Sequence, residues 1–294
     1  MKKTFIYVTI LPLVKRGKMN KEDYIIKHFA SKFIGDDAAC IDGICYSCDS
    51  FYEDVHFKRA WMSMAQIGRK AMLVNISDAI AMNAKPLYAL LSLAVPHEVS
   101  DSDIKELINA LESTAKEFDC EIIGGDTISN QKMCITITLI SKSDNPLLRK
   151  GLKEGDILAF TGILGESKRD LEKLLLGKTI DKNSRFYEPI LRGEFIQKAR
   201  EYLSVGMDIS DGLFCDTNKL LTANDTGLEL LVEIEDEIGL SGEEYEMLVG
   251  FDEEKLPFIQ EICRDLKLKF TPFAKIKHNS FRFPCKEHHF VDAL

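Results

Sequence analysis

Two phrases decide how this chain is read: Asn75-Ile76-Ser77-Asp78-Ala79 and, in the second half, Asp208-Ile209-Ser210-Asp211-Gly212. Each sets Ile-Ser-Asp between apolar runs. An ionised carboxylate among apolar neighbours is costly unless something pairs with it. Around the first phrase, Ile67, Ala71, Val74, Asp78 and Ala81 recur at helical spacing. This predicts a helix over residues 65–82 with Asp78 on a packing face. Asn83 suits the left-handed position beyond that helix, and Pro86 blocks its continuation. Taken alone, Asp78 is either the acceptor of a backbone hydrogen bond or a functional carboxylate. Around the second phrase, a helix is expected after Ser210, with Leu213, Leu220 and Leu221 on its apolar side. Ser210 either caps that helix or helps present backbone N–H groups to a phosphate.

Besides the helix that carries Asp78, four segments, one of them the run into the second phrase, show an apolar run emptying into aspartate among small neighbours. They are residues 33–39 with Asp36 and Asp37, 45–49 with Asp49, 122–127 with Asp126, and 205–212 with Asp208 and Asp211. Any one of them is ordinary turn chemistry. Together they imply a common site, because strand ends and helix starts converge in an α/β fold. Aspartates gathered in one place cannot all ionise without a counter-charge. Hard divalent cations supply it, and an oxygen-only ligand set suits magnesium over zinc. A polyphosphate substrate would need such ions. Yet the chain has no Gly-x-x-x-x-Gly-Lys-Ser/Thr loop, no Gly-x-Gly-x-x-Gly and no His-Arg-Asp kinase triplet.

Alternating strands and helices in both halves indicate an α/β (α+β) chain. Strands are expected at 43–49, 121–123, 133–141 and 157–161, with a helix capped by Ser102 that carries Ile104, Leu107, Ile108, Leu111, Ala115 and Phe118. The turn-rich stretch from Ser143 to Asp156 marks a boundary between a first domain, 19–145, and a second, 150–294. Residues 1–18 imitate a signal peptide but lack a small-residue cleavage site, and read as a leader outside the fold. That leader is also too short to span a bilayer.

At 294 residues the chain can bury a sizeable core, and 38 basic against 47 acidic residues give a formal charge of -9. That argues against a nucleic-acid binder, which would show a basic stripe. The eight cysteines sit mostly in apolar segments, which reads as buried free thiols in a reducing compartment such as the cytoplasm. Cys45 and Cys48, three apart, would face opposite sides of a strand.

Six ordered motifs carry a family resemblance. They are Gly35-Asp36-Asp37-Ala38-Ala39; Asp49-x6-His56-Phe57; Lys70-Ala71-x2-Val74-Asn75-x-Ser77-Asp78-x2-Ala81-Met82-x-Ala84-x-Pro86; Gly124-Gly125-Asp126-Thr127; Asp208-Ile209-Ser210-Asp211-Gly212-Leu213; and Ser241-Gly242-Glu243-x-Tyr245-Glu246. Over roughly residues 20–250 the chain resembles the thiamine-monophosphate kinases of the aminoimidazole-ribotide-synthetase-like superfamily. The resemblance implies that superfamily's two-domain fold, a homodimer formed through the N-terminal domains, and a cleft between N- and C-terminal domains. It also implies transfer of phosphate from ATP to thiamine monophosphate, giving thiamine diphosphate.

By the same resemblance, Asp37, Ser47, Cys48, Asp49, Asp78, Asp126, Asp208 and Asp211 match magnesium positions for several ions. Gly125, Asp126, Arg149 and Ser210 match ATP contacts, and His56 and Glu243 match substrate contacts. Without it, Arg149 would read as a solvated linker residue, His56 as a surface or packed histidine, and the acidic stretch around Glu243 as a solvated face. Asp49, Asp78 and Asp126 are expected as central metal ligands, Asp37 and Asp208 as holders of further ions, and Asp78, Asp126 and Asp211 as the most critical. No general base is expected, since a phosphate monoester, with a second pKa of about 6, is already largely dianionic at neutral pH.

Two positions depart from the family. Cys48 stands where threonine is usual, so it would bind only through its carbonyl. The closing Gly-aromatic-x-His-Phe motif reads Lys286-Glu287-His288-His289-Phe290, which puts Glu287 at the aromatic position. Either Phe281 or Phe283 replaces that aromatic, or Glu287 meets the thiazolium charge. The competing readings are a synthetase of the same superfamily with another acceptor, and a non-catalytic divalent-cation module. A selenide-type enzyme would carry a reactive cysteine in a glycine-rich loop, and a hydrogenase-maturation type would end in cysteine, whereas this chain ends Ala293-Leu294.

Overall fold

Ser63 starts the helix that organises the molecule. In the computed structural model, which describes residues 21–285, its hydroxyl accepts the Gln66 N–H at 3.2 Å, while Gln66 Oε1 accepts the Ser63 N–H at 3.0 Å. This reciprocal cap satisfies two otherwise orphaned donors. After a short α1 (Lys21–Ile26), the capped helix is α2 (Met64–Ala81), and Asn83 beyond it takes the left-handed conformation (φ 51°) as expected.

The first sheet comprises β1 (Ala39–Ile41), β2 (Ile44–Tyr52), β3 (Lys85–Val95), β4 (Glu121–Ser129) and β5 (Cys134–Lys142), in the order β1-β2-β5-β3-β4. Only β3 and β4 run parallel, and α3 (Asp101–Glu117) makes the crossover that a parallel pair requires. Phe51, Ala89, Ile135, Ile137 and Leu139 are buried in the same core as residues of α2 and α3. On the other face Tyr46, Tyr88 and Leu90 are exposed, with Ile140 paired in register to both tyrosines.

In the second half come β6 (Ile157–Thr161), α4 (Glu166–Leu175), α5 (Gly193–Ala199), β7 (Val205–Asp208), α6 (Leu213–Ala223), β8 (Gly227–Leu230), α7 (Asp236–Gly239), β9 (Met247–Phe251), α8 (Leu256–Asp265) and β10 (Phe270–Lys277). This sheet is antiparallel throughout, in the order β7-β9-β6-β10-β8. Helix α2 packs on β2 and β5 of the first sheet and on β7 and α5 of the second half. Covered from both sides, it buries nearly every residue from Ile67 to Ala81, so its last turns meet the end of β7.

Several expectations are corrected. The cap of α3 is Ser100, which accepts the Asp103 N–H at 3.2 Å, and Ser102 lies inside the helix. Strand β4 does not stop at Ile123. Gly124 and Gly125 continue the pairing with Leu90 and Leu91, and a Cβ on Gly125 would fall 1.6 Å from the Leu91 carbonyl oxygen. Gly125 there permits a close approach rather than a turn.

The free-thiol reading fails for two pairs, since Cys40–Cys45 and Cys215–Cys285 are disulfides. The first joins register partners of the β1–β2 hairpin, and the second ties α6 to residue 285. The cysteines therefore give no argument for a reducing compartment. Cys45 and Cys48 do face opposite sides of β2, one buried and one exposed. The acidic stretch is not a solvated face, because Glu244 and Glu246 are fully buried. Among the described residues, no helix is long and apolar enough to cross a membrane. The leader, 1–18, lies outside the described residues.

Candidate active site

The end of α2, the end of β7 and the segment preceding β1 deliver Asp78, Asp208 and Asp37 to one point. Each offers a carboxylate oxygen, and the three oxygens lie within 4.8 Å of one another. Asp208 is 3% exposed, and its Oδ2 accepts the Ser77 hydroxyl at 2.5 Å. Ser77 and Asp78 thus act as a pair, one holding the carboxylate across the cleft and one facing it. Asp37 Oδ1 accepts the Arg149 guanidinium, and the Arg149 N–H donates to Asp36 Oδ1 at 2.6 Å.

Burial is the first cause of the charge cost at all three. It pushes Asp208 up to about 8, aided by repulsion from Asp37 and opposed by the Ser77 hydrogen bond. It raises Asp78 well above the ordinary carboxylate range, and Asp49, Asp208 and Asp37 add their repulsion. It also raises Asp37, against the pull of Arg149. Asp37 Oδ2 is buried with no hydrogen-bond partner among the described residues. Three converging carboxylates, an orphaned oxygen and an oxygen-only donor set fit a hard divalent cation such as magnesium.

Other expected ligands take different places. Asp49, on β2, donates its N–H to Asn75 Oδ1 at 3.2 Å and is near enough to raise Asp78. Tyr245, 8% exposed, marks the same spot. Its hydroxyl is held well above the usual range by burial and then by Glu243, Asp208, Asp49 and Asp78. Asp211 is drawn to Lys219, whose ammonium lies 2.6 Å from Asp211 Oδ2 and 2.9 Å from Asp216 Oδ1. Asp126 sits exposed on edge strand β4, where its Oδ1 accepts the Thr127 N–H at 2.9 Å, and it is not among the three converging groups. Gly125 precedes it on the same exposed strand. Ser47 is buried in β2, and the exposed Cys48 accepts the Thr138 hydroxyl on its Sγ at 3.4 Å.

Ser210 does not cap α6. The helix begins at Leu213 with Gly212 as its N-cap and no side-chain cap. Instead the Ser210 carbonyl accepts the Glu243 N–H at 2.7 Å, stitching the loop after β7 to the loop before β9. Glu243 (φ 54°) and Tyr245 (φ 52°) are both left-handed, an unusual backbone for side-chain-bearing residues.

Glu243 accepts the ammonium of Lys70 at 2.8 Å. Lys70 belongs to α2, is 0% exposed, and lies 4.3 Å from the Phe186 ring centroid and 5.8 Å from that of Phe51. Phe51 in turn stacks on His56 at 5.6 Å, and His56 Nδ1 accepts the Tyr52 N–H at 2.9 Å. His56 and Glu243 therefore flank one Phe51–Lys70 unit. Phe283 is spent in the core, stacked on Phe214 at 4.2 Å, with half-buried Phe281 edge-on to it at 5.0 Å. Glu287 lies outside the described residues.

Sequence reasoning assigned no role to Lys70, Ser77, Asp216, Lys219 or Tyr245. The signals were present: Lys70 precedes Asp78 by eight residues, two turns along the same helix, and Asp216 and Lys219 share a helical face at i, i+3.

Residues 35–142 match the family described as AIR synthase related protein, N-terminal domain. The chain is similar to the thiamine-monophosphate kinase of Aquifex aeolicus, with 32% identity over 75% of either chain. It is also similar to that of Bacillus subtilis, with 30% identity over 84% of this chain and 86% of the relative. Among solved structures, one described as AaThiL complexed with AMPPCP and TMP superimposes with a TM-score of 0.78 at 27% identity, covering 89% of this chain and 91% of that one.

Proposed function

The chain belongs to the thiamine-monophosphate kinase family, and from that membership we propose that it phosphorylates thiamine monophosphate with ATP, giving thiamine diphosphate and ADP. The neighbour bound to an ATP analogue and TMP supports both substrates. The observation that carries the reading onto particular residues is the meeting of Asp37, Asp78 and Asp208 at one point with too little internal positive charge.

Asp37, Asp78 and Asp208 would hold magnesium, with Asp49 close by. Bound there, the ion would offset the negative charge of the nucleotide and acceptor phosphates and stabilise an in-line transfer. The protein's own groups do the remaining work. Arg149 keeps Asp37 in place through Oδ1 and leaves the orphaned Oδ2 for a cation. Ser77 fixes the orientation of Asp208. Glu243, oriented by Lys70, and His56, oriented by Tyr52 and Phe51, line the acceptor end, where Glu243 meets the cationic or amino-bearing rings. No side chain is needed to deprotonate the acceptor, which is largely dianionic at neutral pH. Gly125, Asp126 and Ser210 complete the nucleotide end.

The face of the first sheet with exposed Tyr46, Tyr88 and Leu90 beside half-buried Ile140 supports a homodimer through the N-terminal halves, since such an apolar patch marks an interaction surface. Tyr88→Glu should shift the sedimentation coefficient to that of a monomer. For the reaction itself, purified protein with ATP, magnesium and thiamine monophosphate should yield ADP and thiamine diphosphate one for one. Folded protein that forms neither product across a magnesium series would overturn the reading.

A further inference from the structure

Arg149 donates to one of the three converging aspartates, yet no regular element carries it. Between β5 and β6 the chain forms neither helix nor strand, so no backbone ladder fixes this residue. Its N–H donates to Asp36 Oδ1 at 2.6 Å, and its guanidinium donates to Asp37 Oδ1. From the other side its carbonyl accepts Asn224 Nδ2 at 2.8 Å. Asn224 is the half-buried C-cap of α6. Its Nδ2 also donates to the Leu220 carbonyl at 2.8 Å, while its Oδ1 accepts the N–H groups of Gly151 at 2.7 Å and Leu152 at 3.0 Å. Two carbonyls at one end and two N–H groups at the other fix which way the amide points. Both of its donors and both of its lone pairs are used.

We propose that Asn224 is a positioning residue for the acidic site: by clamping the main chain on either side of Lys150, it aims the Arg149 guanidinium at Asp37. The proposal rests on the metal reading above. With Arg149 on Oδ1, Asp37 keeps its buried, partnerless Oδ2 in a fixed place. The same guanidinium also pulls on Asp78 and Asp208, so its placement bears on all three carboxylates. Partners that orient ligand groups in this way typically carry a tenfold or larger share of metal affinity. The chemistry of the clamp requires an amide. An aspartate at 224 would still accept from Gly151 and Leu152, but it would set an oxygen against the Arg149 and Leu220 carbonyls.

A double-mutant cycle separates this role from that of a helix cap. Mn2+ is titrated calorimetrically into the full chain, with electron paramagnetic resonance counting bound ions. Asn224→Asp should weaken Mn2+ binding roughly tenfold or more. The negative charge it adds would by itself tighten binding, so the sign reports the lost aim of Arg149. In an Arg149→Met background the same change should alter the affinity by no more than about twofold, because nothing is left to aim. A residue that served only the fold would weaken binding by the same factor in both backgrounds, and that result overturns the proposal. So does Mn2+ binding in folded Asn224→Asp that equals or exceeds the parent's. Should the aspartate variant not fold, Asn224→Ala, which adds no charge, is put through the same cycle with the same expected outcomes. A parent that binds Mn2+ and loses it on Asp78→Asn keeps the metal reading whatever Asn224 does. If the parent binds none, or Asp78→Asn changes nothing, the metal reading falls and takes this inference with it.

Discussion

Glu246 and the trio of Asp37, Asp78 and Asp208 are treated in opposite ways. Glu246, fully buried, accepts Arg185 at 2.7 Å, Arg192 at 2.6 and 2.5 Å, and the Thr161 hydroxyl at 2.6 Å. Its neighbour Glu244 accepts the N–H groups of Gly165 and Ser167 at the start of α4 and the Ser241 hydroxyl. Protein donors surround Glu246, whereas Glu244 keeps Oε2 buried without a partner among the described residues and burial raises its pKa. Asp37, Asp78 and Asp208, by contrast, share Arg149 and one serine hydroxyl, and burial raises all three. Glu246 closes its electrostatics internally and builds the fold. The trio is left short of positive charge, and that shortfall is what makes it the candidate for a cation from outside.

Breaking the closed group should have the largest effect. Glu246→Gln strands two arginines and should cost about 3–5 kcal/mol of stability, read as a lowered denaturation midpoint. Product formed per folded molecule should change far less. Asp78→Asn should do the reverse, lowering kcat by roughly 10²–10³-fold while thermal stability without metal holds or rises. A parental kcat in that variant would erase the distinction between the groups.

Lys70→Met tests the bridge between α2 and the Glu243 loop. A methionine of similar shape keeps the packing, so stability should shift by only about 1 kcal/mol. The KM for thiamine monophosphate should rise several-fold more than that for ATP, and equal changes would deny Lys70 its hold on Glu243.

The smallest effect is a pH trend. Asp208, at about 8, keeps in the folded state a proton that the unfolded chain releases near its ordinary value of about 4. The folded form binds more protons across that window, so this group's contribution falls as pH rises from about 4 to about 8. Metal-free protein in EDTA should therefore melt lower at pH 8 than at pH 6. Asp208→Asn should flatten the slope, and added Mg2+ should help the parent most at pH 8. A slope unaltered by Asp208→Asn would remove that carboxylate from the balance.

Much of this was legible in the chain. Apolar spacing around Asp78, the left-handed Asn83, β6 and the alternation in β5 are local properties, set by the period of helix or strand and by what each residue's backbone tolerates. The recurrent aspartates after apolar runs announced an acidic site for the same reason. Local pattern failed where partners lie far apart in sequence. Gly124-Gly125 reads as a turn until β3 lies against it, and the run around Glu244 and Glu246 reads as solvated until Arg185 and Arg192 arrive.

Which aspartates meet, and with what compensation, only the tertiary structure decided. Asp37, Asp78 and Asp208 converge because α2 is clasped between two sheets, Asp126 stays on an open edge, and Asp211 is claimed by Lys219. A sequence carries the charge of every residue. The energy of that charge depends on burial and on neighbours within a few ångströms, and folding alone supplies both.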